Sequence, residues 1–272
     1  MKRFIITGLV LLFTASTFSA YGWSGFGHTL VGFIADQHLS PEAQKQCDKY
    51  LKHTLSYYGS WLDQVRYLKG YEATKKMHAS AVDARTGKYF DEGKGAALNV
   101  ARLMKEMKNG GYRNMCDSTI TDNIRTLIHM VGDMHCPSHV SYRNSAGMDL
   151  WQARKVKGKR KTRDYIIRGR RIRHHGFWDG SPSLFHRNWT CEQFVQEFDK
   201  LSKRRRAEIC SGTPFEWVEE NGVKSRISFL PHGTDFDQLP IRKQQQLIKL
   251  CDDQLVHAGH RLAYVLNTIF AD

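Results

Sequence analysis

Residues 129–139 read His-Met-Val-Gly-Asp-Met-His-Cys-Pro-Ser-His, a run dense in groups that bind metal ions. His129 and Asp133 are four apart, so on a helix they project from one face about one turn apart. Pro137 cannot continue such a helix, and His139 then arrives from its irregular exit. Farther on, His175-Gly-Phe-Trp-Asp179 repeats the His/Asp spacing. Neutral imidazoles donate nitrogen to a transition metal, and carboxylates bind cations while cancelling part of their charge. One such pair alone reads as a helix ion pair worth a few tenths of a kcal/mol. Two pairs and a helix-exit histidine point to a multinuclear zinc site. His135 lies six residues from His129, about 240° round an ideal helix, and falls off the ligand face. His174, beside His175, is not a ligand on this reading, and His38 and His53 receive no role.

The elements that must carry these residues are helical. Residues 28–38 place apolar side chains at Leu30, Val31, Phe33, Ile34 and Ala35. Ser40-Pro41-Glu42 opens a second helix with an N-cap, a first-turn proline and an acid at the positive dipole end. A 3.6-type stripe over 95–108 ends at Gly110-Gly111, and 120–136 carries the first metal pair. Thr190-Cys-Glu-Gln193 is a capping box for a helix expected to run towards Arg206, and 239–270 opens at Pro240 as a long helix. The exception is 141–173, where alternating β-branched and basic residues predict a small basic hairpin near 150–173. The expectation is a mainly α, single-domain protein.

Residues 1–22 read as an export signal: basic Lys2 and Arg3, an apolar stretch from Phe4 to Phe18, then small residues around Ala20-Tyr21-Gly22. Cleavage after Gly22 makes Trp23 the mature N-terminus and leaves a protein destined for the periplasm or the outside of the cell, with no stable membrane insertion. The 41 basic and 27 acidic residues give +14, and 39 basic residues against 27 give +12 without Lys2 and Arg3. Such a surface attracts polyanions. Six cysteines, at 47, 116, 136, 191, 210 and 251, permit up to three disulfides in an exported chain. Cys136, beside the metal face, has the alternative of remaining a buried thiol. Asn188-Trp-Thr190 matches a glycosylation acceptor.

Further metal-binding types occur at His28, Asp63 and His78. With these in place the chain resembles the zinc-dependent single-strand nucleases and 3′-nucleotidases (the S-one/P-one nucleases), which share a helical fold with bacterial zinc phospholipase C. Family members begin with Trp, then present a His five residues on, a Trp-x-Asp-x-x-Arg segment, an isolated His, His-x-x-x-Asp with a Pro-x-His exit, and a second His-x-x-x-Asp. Trp23, His28, Trp61-Leu-Asp63-Gln-Val-Arg66, His78, His129 to His139 and His175 to Asp179 stand in that order. Ala258-Gly-His-Arg-Leu-Ala-Tyr-Val-Leu-Asn267 is similar to the family's last helix, so the likeness spans the mature chain, 23–272.

The resemblance implies three zinc ions per chain. Asp63, His78, His129 and Asp133 hold one. The Trp23 amine and carbonyl, His28 and a bridging Asp133 hold the second, and His139, His175 and Asp179 the third. It also implies that Arg66 stabilises charge developing on phosphate, that the substrates are single-stranded nucleic acid or nucleotides, and that the products carry 5′-phosphates. Asp63, Arg66 and Asp133 are then the catalytic set of a monomeric enzyme. This chain departs from the pattern at Ala79, where fungal members often carry a base-stacking aromatic residue, and at Asn144-Ser-Ala-Gly-Met148, which replaces a Gly-Gly-Asn segment. A lengthened basic segment containing Lys155, Lys157 and Arg160 shifts binding towards backbone phosphates. The rival readings are a zinc phospholipase C and a non-catalytic polyanion-binding relative.

Overall fold

Amphipathic helices bury their apolar stripes against one another, and this chain is built that way throughout. A computed structural model describes residues 23, 25–144, 155–156, 159–160 and 163–271; the segment 1–22, read as an export signal, lies outside the described residues. The chain forms helices α1 (Gly25–Asp36), α2 (Pro41–Tyr50), α3 (Leu55–Tyr58), α4 (Trp61–Val65), α5 (Ala96–Met107) and α6 (Asp117–His135). They are followed by α7 (His174–Phe185), α8 (Cys191–Phe198), α9 (Lys203–Cys210), α10 (Pro214–Lys224) and α11 (Ile241–Phe270). One apolar cluster runs from Trp23 and Leu30 through Ile128 and Val131 to Leu262 and Phe270. α11, 30 residues and about 45 Å long, is its spine, packing on α1, α2, α6, α7 and α9. Among the described residues no helix is long and apolar enough to cross a membrane.

Local signals explain the boundaries. The Ser40 hydroxyl accepts from Ala43 N at the start of α2, and Thr190 and Gln193 exchange both capping-box hydrogen bonds at α8. That helix does not continue to Arg206. It closes at Asp199, and Ser202 caps α9 as a separate helix by accepting from Arg205 N. The helix α10, with its own Thr213/Glu216 capping box, was not anticipated although the same signal is in the sequence.

Strands are few and short. β1 (Ser80–Asp83) and β2 (Val140–Arg143) pair in parallel, Ser80 opposite Val140. The expected hairpin is two hairpins. β3 (Lys155–Val156) pairs with β4 (Lys159–Arg160), and β5 (Asp164–Ile167) with β6 (Arg170–Arg173). The second turns through Arg168 and Gly169 at φ 50° and 71°, the two positive φ values of a type I′ turn that a two-residue hairpin favours. β6 runs directly into α7. The expectation of disulfides is overturned: all six cysteines are free thiols. Four of them lie against groups other than a sulfur, Cys116 beside Ser118 and Thr119, Cys136 beside Ser138, Cys251 beside Ser181 and Cys210 beside the His260 carbonyl.

The exit of α6 needs outside help, because Pro137 removes a donor its last carbonyls require. Asn221 on α10 supplies it: Nδ2 donates to Met134 O at 2.8 Å, while Oδ1 accepts from Ser225 and Gln254 at 2.5 Å each. Replacing this buried amide leaves several polar partners unpaired. Asn221→Ala is expected to cost at least about 2 kcal/mol in denaturant unfolding, and a change within 0.5 kcal/mol (about the ordinary surface range) would show the exit is held otherwise.

Candidate metal centre

Asp133, on α6, is fully buried, and four imidazoles surround its carboxylate. His28 Nε2 lies 3.4 Å from Oδ1, His139 Nδ1 3.4 Å from Oδ1, His78 Nδ1 2.8 Å from Oδ2 and His129 Nε2 3.1 Å from Oδ2. The helix exposes His129 and Asp133 on one face as their spacing requires. His28 comes from α1, and its ring stacks on His129 with centroids 4.1 Å apart. Gly132 makes this possible: a methyl group there would stand 2.7 Å from His28 Nδ1 and 3.7 Å from Trp23 Cδ1. Trp23 is therefore packed beside the ligand-bearing turn, fully buried.

The parallel strand pair delivers the next two histidines. His78 precedes β1 and His139 precedes β2, and His139 Nδ1 donates to the His78 carbonyl at 2.8 Å. His129 Nδ1 donates likewise to Gly59 O at 2.8 Å, which fixes its tautomer and leaves Nε2 as the donor to a metal. Asp63 Oδ1 stands 3.8 Å from both His78 Nδ1 and His129 Nε2, and 3.1 Å from Arg66 Nη1. Both sit on or at the end of α4, one turn apart.

A second group adjoins the first. His139 Nε2 is 3.7 Å from Asp179 Oδ1, and His175 Nε2 is 3.2 Å from Asp179 Oδ2. The two rings stack almost parallel, 4.9 Å apart. The Ser138 hydroxyl donates to Asp179 Oδ1 at 2.8 Å, with the Cys136 thiol behind it at 3.6 Å. Ser138 was missed from the sequence; its position two residues after Cys136 in the ligand-bearing run was the available signal. His175 is the open member, its side chain 45% exposed. Trp23, His28, Asp63, His78, His129, Asp133, His139, His175 and Asp179 are thus gathered at adjoining places. His135 and His174 are engaged elsewhere. His135 hydrogen-bonds Val131 O and Arg261, and His174 contacts the Tyr165 hydroxyl and stacks on Phe229. Of the basic residues, Lys155 and Arg160 are paired opposite each other in β3–β4, and Lys157 lies outside the described residues.

The electrostatics suit cations. Burial pushes the His28 and His139 imidazoles down, His139 to about 3, so both keep neutral lone pairs. Burial alone would raise Asp133, but the imidazoles packed on it, His129 and His139 foremost, hold it well below the usual carboxylate range. Burial dominates at Asp179 and raises it, against the Ser138 hydrogen bond. Both ring nitrogens of His28, Oδ1 of Asp133 and Oδ2 of Asp179 have no hydrogen-bond partner although buried. Orphaned buried polar atoms are costly. Here two of them stand at ligand-like separations, His28 Nε2 3.4 Å from Asp133 Oδ1 and Asp179 Oδ2 3.2 Å from His175 Nε2, close to the roughly 3.3 Å between ligands of a tetrahedral zinc with bonds near 2.0 Å. The residues fit the metal.

A helical protein with adjoining buried His/Asp groups able to bind metal is what these features define. The sequence profile described as S1/P1 Nuclease matches residues 23–271, and the chain belongs to that family of nucleases, hydrolases acting on nucleic acid. Nuclease S1 of Aspergillus oryzae is 21% identical, with 76% of this chain and 71% of that protein covered. Endonuclease 2 of Arabidopsis thaliana is 24% identical, covering 92% and 91% respectively, and Endonuclease 1 of the same plant is 21% identical, covering 100% and 94%.

The buried imidazoles set a pH dependence. His139, His174 and His257 are each held near 3 by burial, and His135 also lies far below its ordinary value. Below about 6.5 the unfolded chain binds protons that these folded residues refuse, so stability falls with pH. His129, Asp179, Asp36 and Asp252, all raised, act in the opposite sense but are fewer than the lowered imidazoles, which also include His28 and His175. The metal-free protein should therefore lose stability between pH 7 and pH 5 in urea titrations, and equal stability at both would contradict the neutral-imidazole assignment.

Proposed function

We propose that the chain is an exported, zinc-dependent nuclease that hydrolyses phosphodiester bonds of single-stranded DNA and RNA, and 3′-nucleotides, leaving 5′-phosphates. The observation that carries this reading is the buried Asp133 carboxylate faced by four imidazoles. In it, three zinc ions are held by residues 23–272 acting as one monomeric nuclease domain. Asp63, His78, His129 and Asp133 hold the first. Asp133 is shared with the second, completed by His28 and by the amine and carbonyl of Trp23 once residues 1–22 are removed. His139, His175 and Asp179 hold the third. When bound, zinc supplies a Lewis acid and acidifies water towards neutral pH.

The chain's own residues do the rest. Asp133 holds its charge between the ligand histidines and would neutralise part of the charge of the cations they hold. Asp63 orients Arg66 through the 3.1 Å contact, presenting the guanidinium fork to a phosphate on which negative charge develops. Asp179, steadied by Ser138, keeps the open His175 side in place for an incoming phosphate. The basic segment with Lys155, Lys157 and Arg160 contributes sequence-independent attraction to the nucleic-acid backbone. All three relatives are named as nucleases or endonucleases, which supports nucleic acid over phospholipid as substrate.

Release of acid-soluble nucleotide from single-stranded DNA by protein beginning at Trp23 tests the reading. Activity should vanish with a zinc chelator and return with zinc, and Asp133→Asn should abolish hydrolysis while leaving DNA affinity near the parent value. Activity that survives both treatments would sink the metal assignment. Ala79 is exposed and offers no ring beside His78, so base stacking must come from another aromatic. Tyr67 follows Arg66, is 59% exposed, and has the Arg66 and Lys75 cations 5.1 and 4.8 Å from its ring centre. Stacking on an aromatic is worth about 1–3 kcal/mol per base, so Tyr67→Ala should raise KM roughly tenfold with little change in kcat. An unchanged KM would move base binding elsewhere.

A further inference from the structure

A third constellation of metal-binding side chains lies away from the centre described above and shares no residue with it. His38 follows the end of α1, about 15 Å along the helix axis from His28. Asp199 closes α8, and His260 lies two-thirds of the way along α11. His38 Nε2 stands 2.8 Å from Asp199 Oδ2, and His260 Nε2 2.6 Å from Asp199 Oδ1. The two rings lie 4.2 Å apart at 35°. The Asp199 and His260 side chains are 2% and 3% exposed, whereas His38 is 22% exposed, leaving one edge open to solvent.

We propose that His38, Asp199 and His260 form a further divalent-cation site, selective for imidazole-preferring metals such as zinc, nickel or copper. Two neutral imidazoles and one carboxylate are the donor set these ions take, and three protein donors leave a coordination position for water. The set is preorganised. Asn267, two turns along α11 from His260, donates to the His38 carbonyl at 3.0 Å and accepts from Ser40 N at 2.7 Å, so the backbone of one ligand is tied to the helix carrying another. The His–carboxylate separations, 2.8 and 2.6 Å, are at or below the shortest of the nuclease centre, 2.8 and 3.1 Å, so the ligands spread by a few tenths of an ångström on loading.

Each Nε2 gives its lone pair to the cation, and each neutral ring carries its proton on Nδ1 instead. At His38 this sets an N–H against Arg206 Nη1, 3.5 Å from Nδ1, so the partly exposed Arg206 side chain must turn away. Its charge also opposes the cation. Without metal the same atoms make a hydrogen-bonded clasp, with both Nε2–H groups donating to Asp199.

Metal counting separates the two. The Asp133→Asn protein, beginning at Trp23, is titrated with copper(II) and followed by electron paramagnetic resonance, with folding checked by circular dichroism. A signal with hyperfine coupling to two nitrogens is expected, lost on adding His260→Gln and weakened at least tenfold in affinity by His38→Gln. Arg206→Gln should tighten binding. In the otherwise unaltered chain, His38→Gln should lower the zinc content by one equivalent and leave DNA hydrolysis unchanged. Should His260→Gln fail to fold, the more exposed His38→Gln decides alone. A folded His38→Gln protein with undiminished copper affinity and zinc content would overturn the site and leave the cluster a hydrogen-bonded clasp. The copper and zinc readouts at His38 and His260 do not depend on the nuclease reading; only the hydrolysis control does.

Discussion

The burial of the Asp133 carboxylate is the constraint on which the rest of the structure depends. A charge with no exposed surface cannot be left unpaired. Four imidazoles from separate parts of the chain, at 28, 78, 129 and 139, answer it. Each brings its own element: α1, the lead into β1, α6 itself, and the turn after α6. The architecture is therefore the set of helix contacts that lets these four arrive at one point. Neutral imidazoles alone do not fully repay a buried carboxylate, which is why the orphaned nitrogens and oxygens around it are better accounted for by cations than by packing.

Holding that arrangement takes residues that never touch a metal. Gly132 clears the space for the His28 ring, and Gly59 O fixes the His129 tautomer. Asn221 supplies the donor that Pro137 removes from the end of α6. Behind them, Arg261 of α11 reaches both His135 and Glu220, tying α6 to α10 through the spine helix. Such supporting contacts set ligand geometry as firmly as the ligands do.

Much of this was legible in the sequence because helices carry their signals locally. The His129/Asp133 and His175/Asp179 spacings, the Ser40 and Thr190 caps and the α5 and α11 stripes all depend on residues within a turn or two of each other. What was not legible depends on distant partners. The β1–β2 pair joins four-residue strands 60 positions apart whose alternation is too short to read, yet it sets His78 against His139. The break after α8 arises because Asp199 faces His38 and His260, neither near it in sequence. Cysteine parity suggested disulfides, but three-dimensional placement, which parity does not encode, keeps all six thiols apart.

The site is graded from closed to open, and the gradient assigns its ends different work. Asp133 and His129 are wholly buried, Asp63 has a side chain 13% exposed, and His175 is 45% exposed. The closed end, wholly buried, serves to fix charge. The open end has His175, with Arg66 near enough to perturb it electrostatically, and the exposed ring of Tyr67 adjoining Arg66. A substrate phosphate approaching from solvent meets the exposed His175 and Tyr67 before it meets the Arg66 guanidinium, whose side chain is 7% exposed, or the buried carboxylate. That order suits displacement at phosphorus: the charges that must not move lie deepest, and those that accommodate a changing substrate lie where water and product can leave.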